Sequence, residues 1–191
     1  MKKETVVVNL FAGAGCGKST TAGGIFTLLK MHGVDAELPY EFAKDMVWDG
    51  MDDGTFVDQV FITGNQHRRL RRLDGKVDVI VCDSPLLLAL IYEQEQEKEA
   101  FTTFMLSKFN AFNNENFILQ RNSALRYECN GRNQNEQEAK ELDDKLIDIL
   151  VDNAVPCNIV QVDVDTINHI TEHILKKYFG KDLKYGISLI M

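Results

Sequence analysis

Val6-Val7-Val8-Asn9-Leu10-Phe11-Ala12-Gly13-Ala14-Gly15-Cys16-Gly17-Lys18-Ser19-Thr20 decides how this chain is read. The first six residues are apolar but for Asn9 and do not alternate, the pattern of a strand buried on both faces of a parallel sheet. Gly13, Gly15 and Gly17 follow, and they open onto a run from Lys18 to His32 in which Ala22, Ile25, Phe26, Leu28 and Leu29 recur at helical spacing. Gly33 supplies that helix with a C-terminal stop. A strand, a glycine turn and a helix stand in the order that lets backbone N–H groups curl around an anion.

Ala12 to Ser19 matches the phosphate-loop pattern G-x-x-x-x-G-K-[ST], with Ala12 in place of the first glycine. Gly13, Ala14, Gly15, Cys16, Gly17, Lys18, Ser19 and Thr20 are read as the cradle of a nucleoside triphosphate, ATP in the first instance. Lys18 bridges the β- and γ-phosphates in this reading, and Ser19 holds Mg²⁺ through its hydroxyl. Asp83, at the end of the apolar run Asp78 to Cys82, is the second metal ligand. Its other reading is an N-cap for a helix that starts at Pro85, whose missing N–H costs nothing in a first turn.

Outward from the loop, further strands are expected near Asp35 to Leu38, Asp78 to Cys82, Asn116 to Gln120 and Asn158 to Val162. Helices are expected at about Tyr40 to Asp49, Thr55 to Leu73, Gln96 to Asn110, Asn135 to Asp152 and Thr166 to Phe179. Strands alternating with helices predict a three-layer α/β/α sandwich around a parallel sheet. At 191 residues the chain fits one domain, 1–191.

Composition narrows the function. A net charge of −8 disfavours coating duplex DNA, which requires Lys and Arg to neutralise phosphates. The basic run His67-Arg68-Arg69-Leu70-Arg71-Arg72 stands out against that background and suggests one anionic ligand, bound locally. No apolar run approaches the roughly 20 residues of a membrane span, and the N-terminus lacks the pattern of a secretory signal, so a cytoplasmic address is expected. Cys16, Cys82, Cys129 and Cys157 are scattered without C-x-x-C spacing and read as free thiols rather than a zinc site.

Triphosphate binding is common to switches, motors and kinases. The N-K-x-D signal of a guanine-specific switch is absent from the sequence, and the chain is short for a motor with a helical lid domain. A compact kinase fits better. It needs a lid that brings positive charge over the phosphates, and Arg121, Arg126 and Arg132, in a lid loop at about 121–136, are expected to provide it, with Arg132 catalytic. The acceptor site is expected in the helical region at about 39–73. Glu41 there orients or deprotonates the acceptor, Lys44 and Arg69 bind it, and Gln66 reads an amide-like edge of a base. Tyr40 and Trp48 have two readings, stacking on a base or filling the core.

Pro39-Tyr40-Glu41-Phe42-Ala43-Lys44-Asp45, Gln66-His67-Arg68-Arg69-Leu70 and Val77 to Leu87 resemble the small P-loop kinase-like proteins of tailed bacteriophages. Gly131 to Glu136, ahead of a helix with Ala139 and Asp143, extends the resemblance. It implies an AAA-like, nucleotide-kinase-type fold with five parallel strands in the order 2-3-1-4-5, and phosphoryl transfer in a host cytoplasm. The implied acceptor is a nucleoside, a nucleotide or a hydroxymethylpyrimidine base in DNA. The readings kept beside it are a non-catalytic regulatory ATP-binding module and a DNA-associated ATPase. The apolar end, Ile187 to Met191, is expected to pack on the core, add an edge strand or join a homodimer.

Overall fold

The computed structural model describes residues 4–50, 58–92, 98–122 and 136–184. Five strands, β1 (Val6–Phe11), β2 (Ala36–Glu37), β3 (Val79–Cys82), β4 (Asn113–Gln120) and β5 (Asn158–Gln161), form one sheet. Every pairing is parallel and the order is β2-β3-β1-β4-β5. All residues of β1 and β3 are buried, which is why those two runs are apolar without alternation.

One face of the sheet presents Val8, Leu10, Val81, Phe117 and Leu119 to helices α1 (Lys18–Met31) and α6 (Thr166–Ile174). These two helices approach so closely that a Cβ on Gly24 would lie 2.5 Å from Ile167 Cδ1. The other face presents Val7, Phe11, Ile80 and Ile118 to Leu70 of α3 (Gln59–Arg71), Met105 of α4 (Lys98–Phe109) and Leu146 of α5 (Glu136–Asp152). A short α2 (Phe42–Trp48) joins β2 to this side. Two apolar layers, one on each face, make the three-layer sandwich.

Four local readings change. Pro85 does not begin an α-helix: its ψ of 143° is extended, and it precedes a six-residue 3-10 helix, Leu86–Ile91, that has no side-chain cap. Asp83 is therefore not an N-cap. α6 does not continue to Phe179 as α-helix but winds into a π-helical turn, Leu175–Phe179, closed by Gly180 at φ 59°. Tyr40 and Trp48 do not fill the core, being 80% and 71% exposed.

β4 begins at Asn113, not Asn116, because tertiary contacts satisfy polar residues that no strand pattern would include. Asn9 donates from Nδ2 to Oδ1 of both Asn114 and Asn116, at 2.9 Å each. On the opposite face, buried Glu115 accepts from Lys177 Nζ and Tyr178 Oη at 2.6 Å each, and lies 2.8 Å from His173 Nε2. Burial alone would raise the Glu115 pKa, but the hydrogen bonds from Lys177, Tyr178 and His173 outweigh it and hold the carboxyl below its usual range. That cluster ties the π-helical turn to the sheet.

A carboxyl whose pKa falls on folding contributes stability above its ordinary pKa and loses it as pH falls through the folded value. Glu115→Gln is therefore expected to cost about 1 to 2 kcal/mol at neutral pH, because it weakens charge-assisted hydrogen bonds whose partners Lys177 and His173 are themselves partly exposed. Urea unfolding should show the gap to wild type shrinking below about pH 4, where glutamate protonates. A gap constant down to pH 3 would refute this role.

Candidate phosphate and acceptor site

The loop between β1 and α1 is built by two left-handed glycines, Gly15 at φ 80° and Gly17 at φ 81°. Gly17 is the N-cap of α1 and offers no side chain, so the first-turn N–H groups of that helix have no cap of their own. A Cβ at Gly17 would meet nothing within 4 Å; backbone conformation, not space, demands glycine there. Lys18 folds back over the loop, and its Nζ donates to Ala12 O at 2.7 Å and Gly13 O at 2.9 Å. Burial pushes the Lys18 ammonium pKa down, opposed first by Glu41 and then by Cys16, Asp83 and Asp143. Ser19 and Thr20 are exposed at the helix start.

Two carboxylates from different elements thus share the field of one lysine. Asp83 follows β3, and Glu41 immediately precedes α2. Asp83 is only 8% exposed, and its Oδ1 has no hydrogen-bond partner among the described residues. Gln66, 3% exposed on α3, accepts at Oε1 from Phe42 N at 3.2 Å, which fixes the amide with Nε2 as a donor. Apart from the weak sulfur of Cys82 beside it, that Nε2 has no partner among the described residues either. A buried donor and a buried acceptor left unmade cost about 1 to 3 kcal/mol each; Asp83 is in the field of Lys18, and Gln66 stands beside Cys82, the residue before Asp83.

The other expected residues divide. Arg69 is engaged within the acceptor region: Nη1 donates to Tyr40 O and Nη2 to Asp45 Oδ2, both at 2.8 Å, while the guanidinium lies 5.2 Å from the Phe42 ring centroid. It braces α2 against α3. Lys44 is exposed on α2. The basic run is split by the helical turn, with Arg68, Arg71 and Arg72 exposed at the C-terminal end of α3 and His67 packed edge-on to Phe112. Cations at a helix C-terminus complement its dipole, a reading that the expectation of one anionic pocket did not include. Arg126 and Arg132 lie outside the described residues.

Arg121, directly after β4, meets the phosphate loop through a residue that sequence reasoning did not assign. Asp143 on α5 accepts from Gly13 N through Oδ1 and pairs with Arg121 Nε through Oδ2, each at 2.5 Å. Arg121 Nη2 in turn donates to Ala14 O at 2.6 Å. This clasp borders a pocket of about 330 Å³ that Ala12, Ile118, Leu146 and Ile147 also line. Cys16 turns inward, its thiol donating to Leu119 O at 3.1 Å, and burial foremost raises its pKa.

A glycine loop with an inward lysine, at the C-terminal end of the central strand of a 2-3-1-4-5 parallel sheet, defines a P-loop NTPase of the kinase-like kind. A family model described as an AAA domain matches residues 7–166, and the chain belongs to that family. Among solved structures the chain is similar to the NadR protein in complex with NAD and AMP-PNP (TM-score 0.69, 13% identity, 97% of this chain and 52% of that chain). It is also similar to deoxyadenosine kinase from M. mycoides with bound dATP (0.55, 16%, 90% and 100%). A third is thymidylate kinase from Ehrlichia chaffeensis (0.58, 14%, 90% and 97%). The chain spans about half the length of the NadR chain, and at these identities the likeness is one of fold. No curated protein matches it.

The thiols next to the site offer a direct check. Burial, then the neighbouring Asp83, pushes the Cys82 pKa up to about 12. Only the thiolate alkylates, so Cys82 and Cys16 are expected to resist iodoacetamide at pH 8 in the folded chain and to react after denaturation. Mass spectrometry of the native chain showing rapid alkylation of Cys82 would contradict this packing.

Proposed function

We propose that the chain is an ATP-dependent phosphotransferase that moves the γ-phosphoryl group of Mg-ATP to a nucleoside, a nucleotide or a modified pyrimidine. The observation that carries the reading is the pair of buried polar atoms without a partner among the described residues, Gln66 Nε2 and Asp83 Oδ1, the second of them in the field of the loop lysine. Gln66 stands between the start of α2 and Cys82, a buried donor that triphosphate binding alone does not call for. A kinase needs a second, dry site there to seat an acceptor that offers a carbonyl or ring nitrogen to Gln66.

The roles follow from position. Backbone N–H groups from Gly15 to Thr20 receive the phosphates, with the uncapped start of α1 favouring their charge. Lys18 exchanges its two carbonyl partners for phosphate oxygens. Ser19 Oγ and the orphaned Asp83 Oδ1 are hard oxygen donors of the kind Mg²⁺ takes, and the ion, when bound, neutralises charge on the phosphoryl oxygens. Glu41, the foremost carboxylate in the field of Lys18, orients the acceptor hydroxyl and takes its proton. Lys44 stands at the outer edge of the acceptor region and Arg69 holds that region's two helices together. Arg126 and Arg132 are assigned to the triphosphate by their place in the sequence alone.

The test is ADP release from Mg-ATP across a panel of nucleosides, nucleoside monophosphates and hydroxymethylpyrimidine DNA. Release is expected to require one acceptor class, to be lost in Lys18→Ala, and to fall about 100-fold or more in Glu41→Gln, the usual range for a lost general base. Gln66→Ala is expected to raise KM for the acceptor and leave ATP affinity unchanged. ATP binding that no acceptor stimulates would favour the regulatory module instead. Nucleic-acid-stimulated hydrolysis without a phosphorylated product would favour the DNA-associated ATPase.

A further inference from the structure

We propose that Asp143 is a positioning residue for the phosphate loop: it fixes the loop's first half and holds Arg121 at the loop's rim, so nucleotide affinity depends on the two residues as a unit. The proposal rests on the reading of Ala12 to Thr20 as a triphosphate site.

The geometry is that of a two-sided bracket. One carboxylate oxygen takes the Gly13 N–H and the other takes Arg121 Nε, at 2.5 Å each, so neither can move without the other. Arg121 Nη2 closes the circuit on Ala14 O at 2.6 Å. Both side chains are mostly buried, at 17% and 21% exposure, where such a pair is screened little. The four groups come from three places far apart in sequence: the loop after β1, the end of β4 and the middle of α5. Lys18 Nζ holds the same stretch through Ala12 O and Gly13 O. The first half of the loop is thus held twice, by the Asp143–Arg121 pair and by Lys18, while the second half is tied to β4 through the Cys16 thiol on Leu119 O.

The location suggests cost as well as order. A carboxylate beside a phosphate site repels the ligand, and in isolation its removal should tighten ATP binding. Its retention there is accounted for if it spends that repulsion on pre-ordering the loop and on keeping the Arg121 guanidinium in one place, so less entropy is lost when nucleotide binds. The two effects have opposite signs, which makes the experiment decisive.

The measurement is Mg-ATP affinity by calorimetry for wild type, Asp143→Asn, Arg121→Ala and the double variant, with thermal unfolding on each. Asp143→Asn keeps an acceptor for Gly13 N and removes only the charge pairing, so it is the variant least able to unfold the chain. Each single change is expected to weaken ATP binding about tenfold, within the span of coupled neighbouring pairs, and the double no more than the worse single. Hydrogen exchange at the Gly13 amide, which needs no nucleotide, is expected to speed up in Asp143→Ala. Tighter binding in Asp143→Asn, unchanged binding, or fully additive losses would each overturn the bracket. If wild type itself binds no ATP, the triphosphate reading fails and the proposal with it, an outcome distinct from wild-type binding that the variants leave unaltered.

Discussion

Everything in this molecule depends on the parallel placement of β1 between β3 and β4. In that register Val8 pairs with Val81 on one side and Glu115 on the other, and the three strands run in the same direction. Their ends deliver the glycine loop, Asp83 and Arg121 to one edge of the sheet. Backbone N–H groups can serve as an anion site only if something rigid holds them open, because unpaired N–H groups otherwise seek other partners. Here the fully buried β1 supplies the rigidity below, and α1 packs on α6 to supply it behind.

The loop itself combines freedom with restraint. Left-handed Gly15 and Gly17 give the curl, and Lys18 and Asp143 both hold the entry. Among the described residues Gln66 Nε2 and Asp83 Oδ1 lack partners, in contrast to the bonded clasp at Arg121. The site thus joins a hydrogen-bonded clasp to two buried polar atoms that have no partner among the described residues. Buried polar groups without partners are disfavoured in a native structure, so their presence next to a phosphate loop is the clearest local sign of a binding role.

How much of this could be read from the sequence followed how local the cause was. β1, β3 and α1 were legible because continuous apolar runs and a 3.6-residue period are written into neighbouring residues. The start of β4, Asn113 to Glu115, was not, since Asn114 and Glu115 are held in the strand by Asn9, Lys177 and Tyr178, which lie far away in sequence. Lys18 and Asp83 were placed by motif. Asp143 entered only as part of the resemblance and without a role: its partners are 22 and 130 residues away, and an aspartate in an amphipathic helix reads as a solvated face. The brace formed by Arg69 was likewise hidden, because a basic run shows charge but not which residue of the turn faces inward.

The central claim is that the phosphoryl group goes to an acceptor held near Gln66 and Asp83 rather than to water. The most direct measurement is the fate of the label when the chain is given γ-³²P-ATP, Mg²⁺ and a mixture of nucleosides and nucleoside monophosphates, with products separated by chromatography. The account predicts label in a phosphorylated organic product, absent with Lys18→Ala. Label found only in inorganic phosphate, at a rate indifferent to every acceptor, would contradict it.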